Sequence, residues 1–560
     1  MLAGGKCLLI SNIEKAAFFC YTVKIIYGLH MQIKLQDYVP YGESLIWKIH
    51  NNYFQKKGAH AWLNGEVPYD ITSNSCAAMQ NASLVLEAVK NAEKAGDLAA
   101  DEKINILELA SGVGLFAINF LDQFARLCNK SGLNYAERIV FYFTDYSEKT
   151  VSEAMKNDYL KALCEKGRLR FATADACDPR VLTGIPGGEK ITGVKFTAAV
   201  ANYLHCILPL TILRKKDGKL FEKQIALCLK NDGNSGAVPT AEDAAEIINN
   251  PTGKKIWPDL EQSFDYKPIE VESFFKDKTH FEVIEDTVKY YDTATIIYPR
   301  GSFDSIRNFM PMMKSGGIYI ISDKGYSDVH QMYGERECEP SYHGNCFAHS
   351  FNFPLADNYA RKLGLNVYRT YNPDYGIQTM VIENSKSDAL FAKFNELYIS
   401  QNPNQDSNDL FLEVLDYEKN KEYEKALDNL KKISKKRPHD AKVYFKLGNN
   451  FFDTKAYGKA LDSYSKGRDY DYLNQYDFDF EIGQVNYYLG EYEKAIEAYE
   501  FSIVKKGYNS KFAYLNIGLC NNYLDRFDAA DSAFLKALEI DPEYKRAAEF
   551  MAENKKHRKL

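Results

Sequence analysis

A chain of 560 residues exceeds what one ordinary hydrophobic core organises, so more than one domain is required. Hydrophobic residues at 45% and charged residues at 26% are globular proportions, and a formal charge of −6 makes no electrostatic case for nucleic acid. The 11 cysteines lie scattered without a CxxC pair, which argues against a disulfide framework and for reduced thiols in a cytoplasmic setting.

In chain order, the opening segment contains "AAFFCYTVKIIYGLH", apolar enough to resemble a signal core. Lys24 interrupts it and no small-residue cleavage site follows, so residues 1–30 read as a poorly ordered extension ahead of globular text from Met31. No apolar run reaches the ~20 residues that span a bilayer, and no membrane partner is expected. "WLNGEVPY", with Trp62 and Tyr69, suits either a cover over a ligand or an aromatic core segment.

From Ile104 onward, apolar strand-like runs alternate with amphipathic helical ones, which predicts an α/β domain with a parallel sheet. "INILELA" is the first strand and "VGLFAINFLDQFARLC" the helix after it. "RIVFYFTDYS" is a second strand ending in Asp145, "RLRFATADA" a third ending in Asp175, and "KFTAAVANYLHCILP" a fourth ending near Asn202. "GGIYIISDKGY" is a later strand. Ligands on such sheets bind beyond the carboxyl ends of the strands, so Glu108, Asp145, Asp175 and Asn202 converge on one crevice. A buried strand-end carboxylate such as Glu108 is costly unless something uses it.

The turn "GVGLFA" is Gly112-x-Gly114-x-x-Ala117, which also fits the loose dinucleotide fingerprint. Against a nicotinamide or flavin stand Glu108, which repels a pyrophosphate, and Asp145, which lies 31 residues beyond Gly114. That is further than the ~20 usual for the motif. A sulfonium with an amino-acid tail tolerates the acidic rim better.

Some ninety residues separate the fourth strand from "IIYPRGS", and this insertion at about 210–295 is read as a lid, a substrate platform or a decoration. Further on, "CEPSYHGNCFAH" gathers Cys338, His343, Cys346 and His349, but their spacing matches no familiar zinc site and no metal ligand is assigned. His343 or His349 on a substrate-facing loop is one alternative, and incidental packing the other. "ISQNPNQDSND", residues 399–409, is polar and reads as a linker.

After the linker the chain repeats. "EYEKAL", "AYGKAL", "EYEKAI" and "RFDAAD" place alanines at 426, 460, 495 and 530, spaced by 34, 35 and 35. Twelve residues before three of them stands a glycine, Gly448, Gly483 or Gly518, with Val414 in the first unit. Four residues after each alanine come Leu430, Tyr464, Tyr499 and Phe534. Small residues let two helices approach, a large one fills the space between, and such units bury their faces only by stacking. This resembles the tetratricopeptide repeat over roughly 407–542, with a polar capping helix behind it. The resemblance implies protein or peptide binding in a concave groove, where Asn449, Asn486, Asn516 and Asn521 would face. An intramolecular or dimerising role is the alternative.

The order E-x-A-x-G-x-G, an acid after the second strand and "ADA" after the third resembles class I S-adenosylmethionine-dependent methyltransferases. Glycine is usual in that family where Ala110 stands. The resemblance implies a Rossmann-like α/β fold over residues 31–398, ahead of an all-α repeat region over 410–560. It implies S-adenosylmethionine as cofactor, with Gly112 and Gly114 under its methionyl part, Asp145 on the ribose and Asp175 near the adenine. Glu108, Ala110 and Asn202 complete that set. "VANYLHCILP", "ISDKGYS" and "CFAHSFNFPLADNYARKLGL" further resemble the MidA family of protein-arginine methyltransferases. Where that family has two acids after the fourth strand, this chain has Tyr203 and His205, which removes two counter-charges a guanidinium needs. Tyr203, His205 and His349 are the residues expected to orient or deprotonate an acceptor. The expected activity is methyl transfer to a protein recruited by the repeats. The alternatives are an inactive scaffold whose repeats do the work, and a small-molecule methyltransferase using its repeats for assembly.

Overall fold

The computed structural model describes residues 32–230, 240–506 and 510–557, so the extension expected at 1–30 lies outside the described residues. Two compact units emerge. One is built from 80–401 with the segment ending at Ser73, and the other from 402–560 with Asn74–Met79.

The first unit is organised by a nine-stranded sheet. Its main strands are β1 (Ile104–Leu109), β2 (Ile139–Asp145), β3 (Leu169–Thr173), β4 (Phe196–Asn202), β5 (Met313–Asp323), β6 (Asn366–Arg369) and β7 (Gln378–Glu383). They lie in the order β6-β7-β5-β4-β1-β2-β3, and two short strands at Leu182–Gly184 and Lys190–Ile191 extend the β3 edge. β1 to β5 are mutually parallel, while β7 runs antiparallel to β5 and β6 antiparallel to β7. Every residue of β2 is buried, as the near-continuous apolar text of a strand covered on both faces requires. The chain leaves β1 toward β2 on one side and later returns to β4 on the other. A crevice therefore opens at the carboxyl ends of β1 and β4.

The residues between Asn202 and the helix Arg300–Phe309 hold most of a second, five-stranded sheet. Strands Thr211–Lys216, Lys219–Lys230, Leu260–Pro268 and Thr293–Tyr298 belong to it, together with Gln32–Pro40 from the start of the described chain. All its pairings are antiparallel. Asp217 (φ 50°) and Gly218 (φ 71°) form the tight turn between two of its strands, both in the left-handed region that such a hairpin demands.

The second unit is a succession of helix pairs: Pro403–Lys419 with Tyr423–Lys436, Ala441–Asp453 with Tyr457–Tyr470, Phe478–Tyr488 with Tyr492–Lys506, and Lys511–Tyr523 with Phe527–Ile540. Lys545–His557 follows as a last helix. The stretch read as a linker at 399–409 is helical from Pro403, because Asn402 caps that helix by accepting from the Gln405 N–H. Within the pairs, a Cβ added to Gly448 would collide with the ring of Tyr464, to Gly483 with Tyr499, and to Gly518 with Phe534. The first pair evens the sizes, with Val414 in place of glycine and Leu430 in place of the aromatic ring, both fully buried in one cluster. Of the four asparagines expected in a groove, Asn486 and Asn521 are buried, Asn449 accepts from the Tyr464 hydroxyl at 2.8 Å, and Asn516 is half-buried and hydrogen-bonded to Tyr499.

Candidate functional site

The loop after β1 is laced to the end of β2. The Ser111 N–H donates to the Thr144 carbonyl at 2.8 Å, the Thr144 N–H donates to Ser111 Oγ at 3.2 Å, and the Thr144 hydroxyl donates to the Glu108 carbonyl at 2.6 Å. Ala110 (φ 58°), Gly112 (φ 54°) and Gly114 (φ 86°) all take left-handed backbone, which folds the chain sharply before the helix α1 (Leu115–Lys130). At Gly114 a side chain would lie 2.7 Å from Leu160 Cδ1 and 3.1 Å from Phe143 Cε2, so packing alone demands glycine there. At Gly112 a Cβ would meet only the indole of Trp62, at 3.5 Å, and the backbone angle makes the demand.

A cavity opens above this bend. Glu108, Ala110 and Gly112 form its floor, and Asn202, Tyr203 and Cys206 one wall. Phe54, Trp62, Tyr69, Thr72 and Ser73 contribute from the helices ahead of β1. Lys324, His343, Cys346 and Phe347 close it from the segments after β5. Four polar atoms facing this small volume are buried without a hydrogen-bond partner: Glu108 Oε2, both amide atoms of Asn202, and the Tyr203 hydroxyl. Buried polar groups are seldom left so, and a concentration of them in one cavity marks a place for a polar ligand. Burial pushes the Glu108 carboxyl up to about 8, with a smaller push from Asp145 against a hydrogen bond from Ser111. At neutral pH it is therefore mostly a neutral acid, able to donate as well as accept.

Tyr203 is fixed at the mouth of β4. Its N–H donates to the Ser322 carbonyl at 3.0 Å, and its backbone is left-handed at φ 51°. Burial first, then the Asp323 carboxylate, raises its phenol well above the ordinary value, so the hydroxyl keeps its proton. Asp323 ends β5 and accepts from the backbone N–H groups of Cys206 at 2.9 Å and Lys324 at 2.8 Å. Burial raises its own carboxyl to about 7.

Of the residues singled out in the sequence, Glu108, Ala110, Gly112, Asn202 and Tyr203 meet at the cavity, and five others do not. Gly114 lies behind the bend against Leu160. Asp145 is buried and ties the loop, accepting from Gly112 N–H at 3.2 Å and Ser147 N–H at 2.9 Å. Asp175 lies two residues past the end of β3, exposed, and accepts from the Cys177 N–H at 2.8 Å. His205 is core: its Nε2 is 3.0 Å from the Tyr319 hydroxyl, and burial drives its pKa down to about 3. His349 is core too, 2.8 Å from the Tyr41 hydroxyl and lowered to about 3 by burial, then by Lys223 and His50. The physical reason is the same for both histidines. Each sits just past a strand end, where the chain has already turned inward to an aromatic cluster.

His343 is the histidine that reaches the cavity, and Trp62 and Tyr69 also line it. The sequence reading missed Lys324, whose only signal is a charge directly after the apolar run that ends in Asp323. Of the soft-ligand cluster, Cys346 donates its thiol to the His343 carbonyl at 3.0 Å, while Cys338 lies 3.6 Å from the Tyr326 hydroxyl. Among the described residues, no three His, Cys, Asp or Glu side chains gather as a metal site.

No protein-family model matches the chain, and no curated protein matches it. Among solved structures it is similar to a protein from Burkholderia thailandensis described as a "likely methyl transferase" bound to S-adenosyl-homocysteine. The identity is 12%, the TM-score 0.40, and the match covers 63% of this chain and 90% of that one. It is also similar to MamA at 26% identity and a TM-score of 0.24, over 28% of this chain and 85% of that one. A third likeness is to YrrB, described as a TPR protein with an unusual peptide-binding site, at 17% identity and a TM-score of 0.24, over 29% of this chain and 79% of that one. The fold rests on the chain's own geometry. Strand order β3-β2-β1-β4-β5-β7-β6 with β7 reversed, and helix pairs recurring every 34 or 35 residues, describe a methyltransferase-like α/β unit followed by tetratricopeptide repeats.

Proposed function

We propose that the α/β unit is an S-adenosylmethionine-dependent methyltransferase whose acceptor is a protein recruited through the repeats. The observation that carries this reading is the set of partnerless buried atoms on Glu108, Asn202 and Tyr203 around a glycine bend at the sheet's switch point. Glu108, Ala110, Gly112 and Asn202 are the residues that would hold the cofactor. A neutral Glu108 and the Asn202 amide offer donors and acceptors to an amino-acid tail. Being neutral, Glu108 no longer repels a pyrophosphate, and the case against a dinucleotide rests on the spacing of Asp145 from Gly114. Asp145, Gly114 and Asp175 act on the cofactor indirectly, through the loops that they shape. The cofactor would supply an electrophilic methyl group on a sulfonium. Phe54, Trp62, Tyr69 and Phe347 would exclude water from that methyl, and Tyr203 would orient the acceptor through its hydroxyl.

Titration calorimetry of the full chain with S-adenosylmethionine tests the cofactor. Binding that weakens in Asn202→Ala and Gly112→Val is the expected result, and no heat of binding would remove the reading. Mass spectrometry of cell lysate incubated with the protein and labelled donor then reports the acceptor. An inactive scaffold is the second reading, favoured by the engagement of Asp145 and Asp175 with their own loops.

A further inference from the structure

The acceptor end of the cavity carries a cation, Lys324, that no carboxylate among the described residues pairs with, although the Asp323 and Asp70 carboxylates both act on the Tyr203 hydroxyl. Lys324 lines the cavity, lies with Nζ 5.8 Å from the centre of the Tyr203 ring, and forms no ion pair among the described residues. Its backbone is pinned on both sides. The N–H donates to Asp323 Oδ1 at 2.8 Å, and the carbonyl accepts from the Phe351 N–H at 2.8 Å. The nearby acid, Asp323, already accepts backbone donors on both oxygens. His343, the other basic group at this end, is held below its ordinary pKa by burial and then by the Lys324 ammonium, so it is neutral at pH 7. Glu108 is mostly protonated there as well. Lys324 is therefore an unpaired cation over the Tyr203 ring, beside a hydroxyl that has a proton to give.

We propose that this cavity selects a carboxylate as its methyl acceptor, held between the Lys324 ammonium and the Tyr203 hydroxyl. A guanidinium or ammonium acceptor would meet like charge from Lys324. A carboxylate needs no base, so His343, the histidine lining the cavity, is left with no proton to take. In the transfer, a carboxylate oxygen forms a bond to the methyl carbon and the carbon–sulfur bond breaks with its electron pair on sulfur. The sulfonium and the carboxylate become a neutral thioether and a neutral ester, and no proton moves. The inference rests on the proposed methyltransferase reading for the transfer step, while the anion preference of the cavity stands on Lys324 alone.

The test compares benzoate with benzamidine, two aromatic probes of like shape and opposite charge, by calorimetry on the full chain saturated with S-adenosyl-homocysteine. Benzoate is expected to bind at least about tenfold more tightly than benzamidine. Lys324→Met should remove that preference, and Lys324→Arg should keep it. Unchanged affinity of Lys324→Met for S-adenosyl-homocysteine shows that the variant is folded. Equal or better binding of benzamidine, or benzoate affinity untouched by Lys324→Met, would overturn the proposal. The same titration on the free chain reads the preference if S-adenosyl-homocysteine does not bind, an outcome that counts only against the proposed function. In the lysate experiment, label on a carboxylate is released as methanol by mild base. Label that survives base on the modified acceptor would also overturn it.

Discussion

The backbone N–H of Gly112 donates to Asp145 Oδ2 across 3.2 Å, joining the bend after β1 to the end of β2. The other carboxylate oxygen takes the Ser147 N–H at 2.9 Å. One buried side chain therefore sets the shape of the cavity floor and the start of the next helix. Burial raises its carboxyl to about 6, against backbone hydrogen bonds from Ser147 and Gly112 that lower it.

Asp145→Ala leaves two buried donors without their acceptor. Stability should fall by about 3–6 kcal/mol in urea denaturation, since hydrogen bonds to a charged group are each worth roughly 1.5–3. Affinity for S-adenosyl-homocysteine should fall with it, because the floor loses its tie. A variant with unchanged midpoint would show that the loop holds its shape without Asp145.

Ala110 carries a side chain in left-handed backbone, at φ 58°. That conformation costs a non-glycine residue on the order of 1 kcal/mol, part of which glycine returns as unfolded-chain entropy. Ala110→Gly is expected to raise stability by a few tenths to about 1 kcal/mol. Ala110→Val should lower it, because β-branching is least tolerated there. Thermal melts of the two variants in parallel decide the matter, and a destabilised glycine variant would refute the strain.

Glu108 gives the protein a pH dependence of defined sign. Its carboxyl titrates near 8 when folded and from an ordinary value of 4.5, so the native state binds the extra proton between those limits. The stabilising contribution is fully present below about pH 4.5 and is lost as pH rises through 8. Asp145 and Asp323, raised to about 6 and about 7, add losses of the same sign in their own windows. Glu108→Gln should therefore flatten the decline between pH 6 and 8.5 in denaturation curves, an effect bounded at about 3 kcal/mol over that window. An unaltered slope would mean that Glu108 is ionised in the folded chain.

The helix pairs invite a size exchange. Gly448→Ala drives a methyl into the Tyr464 ring and should cost about 1–3 kcal/mol by overpacking, despite the better helix propensity of alanine. Tyr464→Leu alone should cost about 2 kcal/mol or more, leaving a cavity beside Gly448. Combined, Gly448→Val with Tyr464→Leu reproduces the Val414 and Leu430 pairing of the first unit. A double-mutant cycle closed with the Gly448→Val single variant is expected to show a favourable coupling of at least about 1 kcal/mol. Strict additivity would mean that the crossing does not depend on the summed volume of the pair.

Much of this protein could be read before any fold was known. The repeats and their small and large positions follow from stacking alone, because each hairpin presents the same buried crossing to its neighbour. The parallel strands announced themselves as apolar runs, and Glu108, Ala110, Gly112, Asn202 and Tyr203 could be placed at one edge because they end or follow such runs. The five-stranded second sheet went unread. Its one plain signal, Asp217-Gly218 between alternating residues, lay in a stretch taken for an insertion, and strand Gln32–Pro40 finds its partner almost two hundred residues away. Sequence spacing also treated Asp145, Asp175, His205 and His349 as equal to the rest, since it reports where strands end and not which way a side chain turns after them. Only the tertiary structure turned the two histidines into the core, tied Asp145 to Gly112, and left Lys324 facing Tyr203. Periodicity records the burial of whole faces, which is local and repeated. The direction of a single polar group past a strand end depends on contacts between segments far apart in the chain.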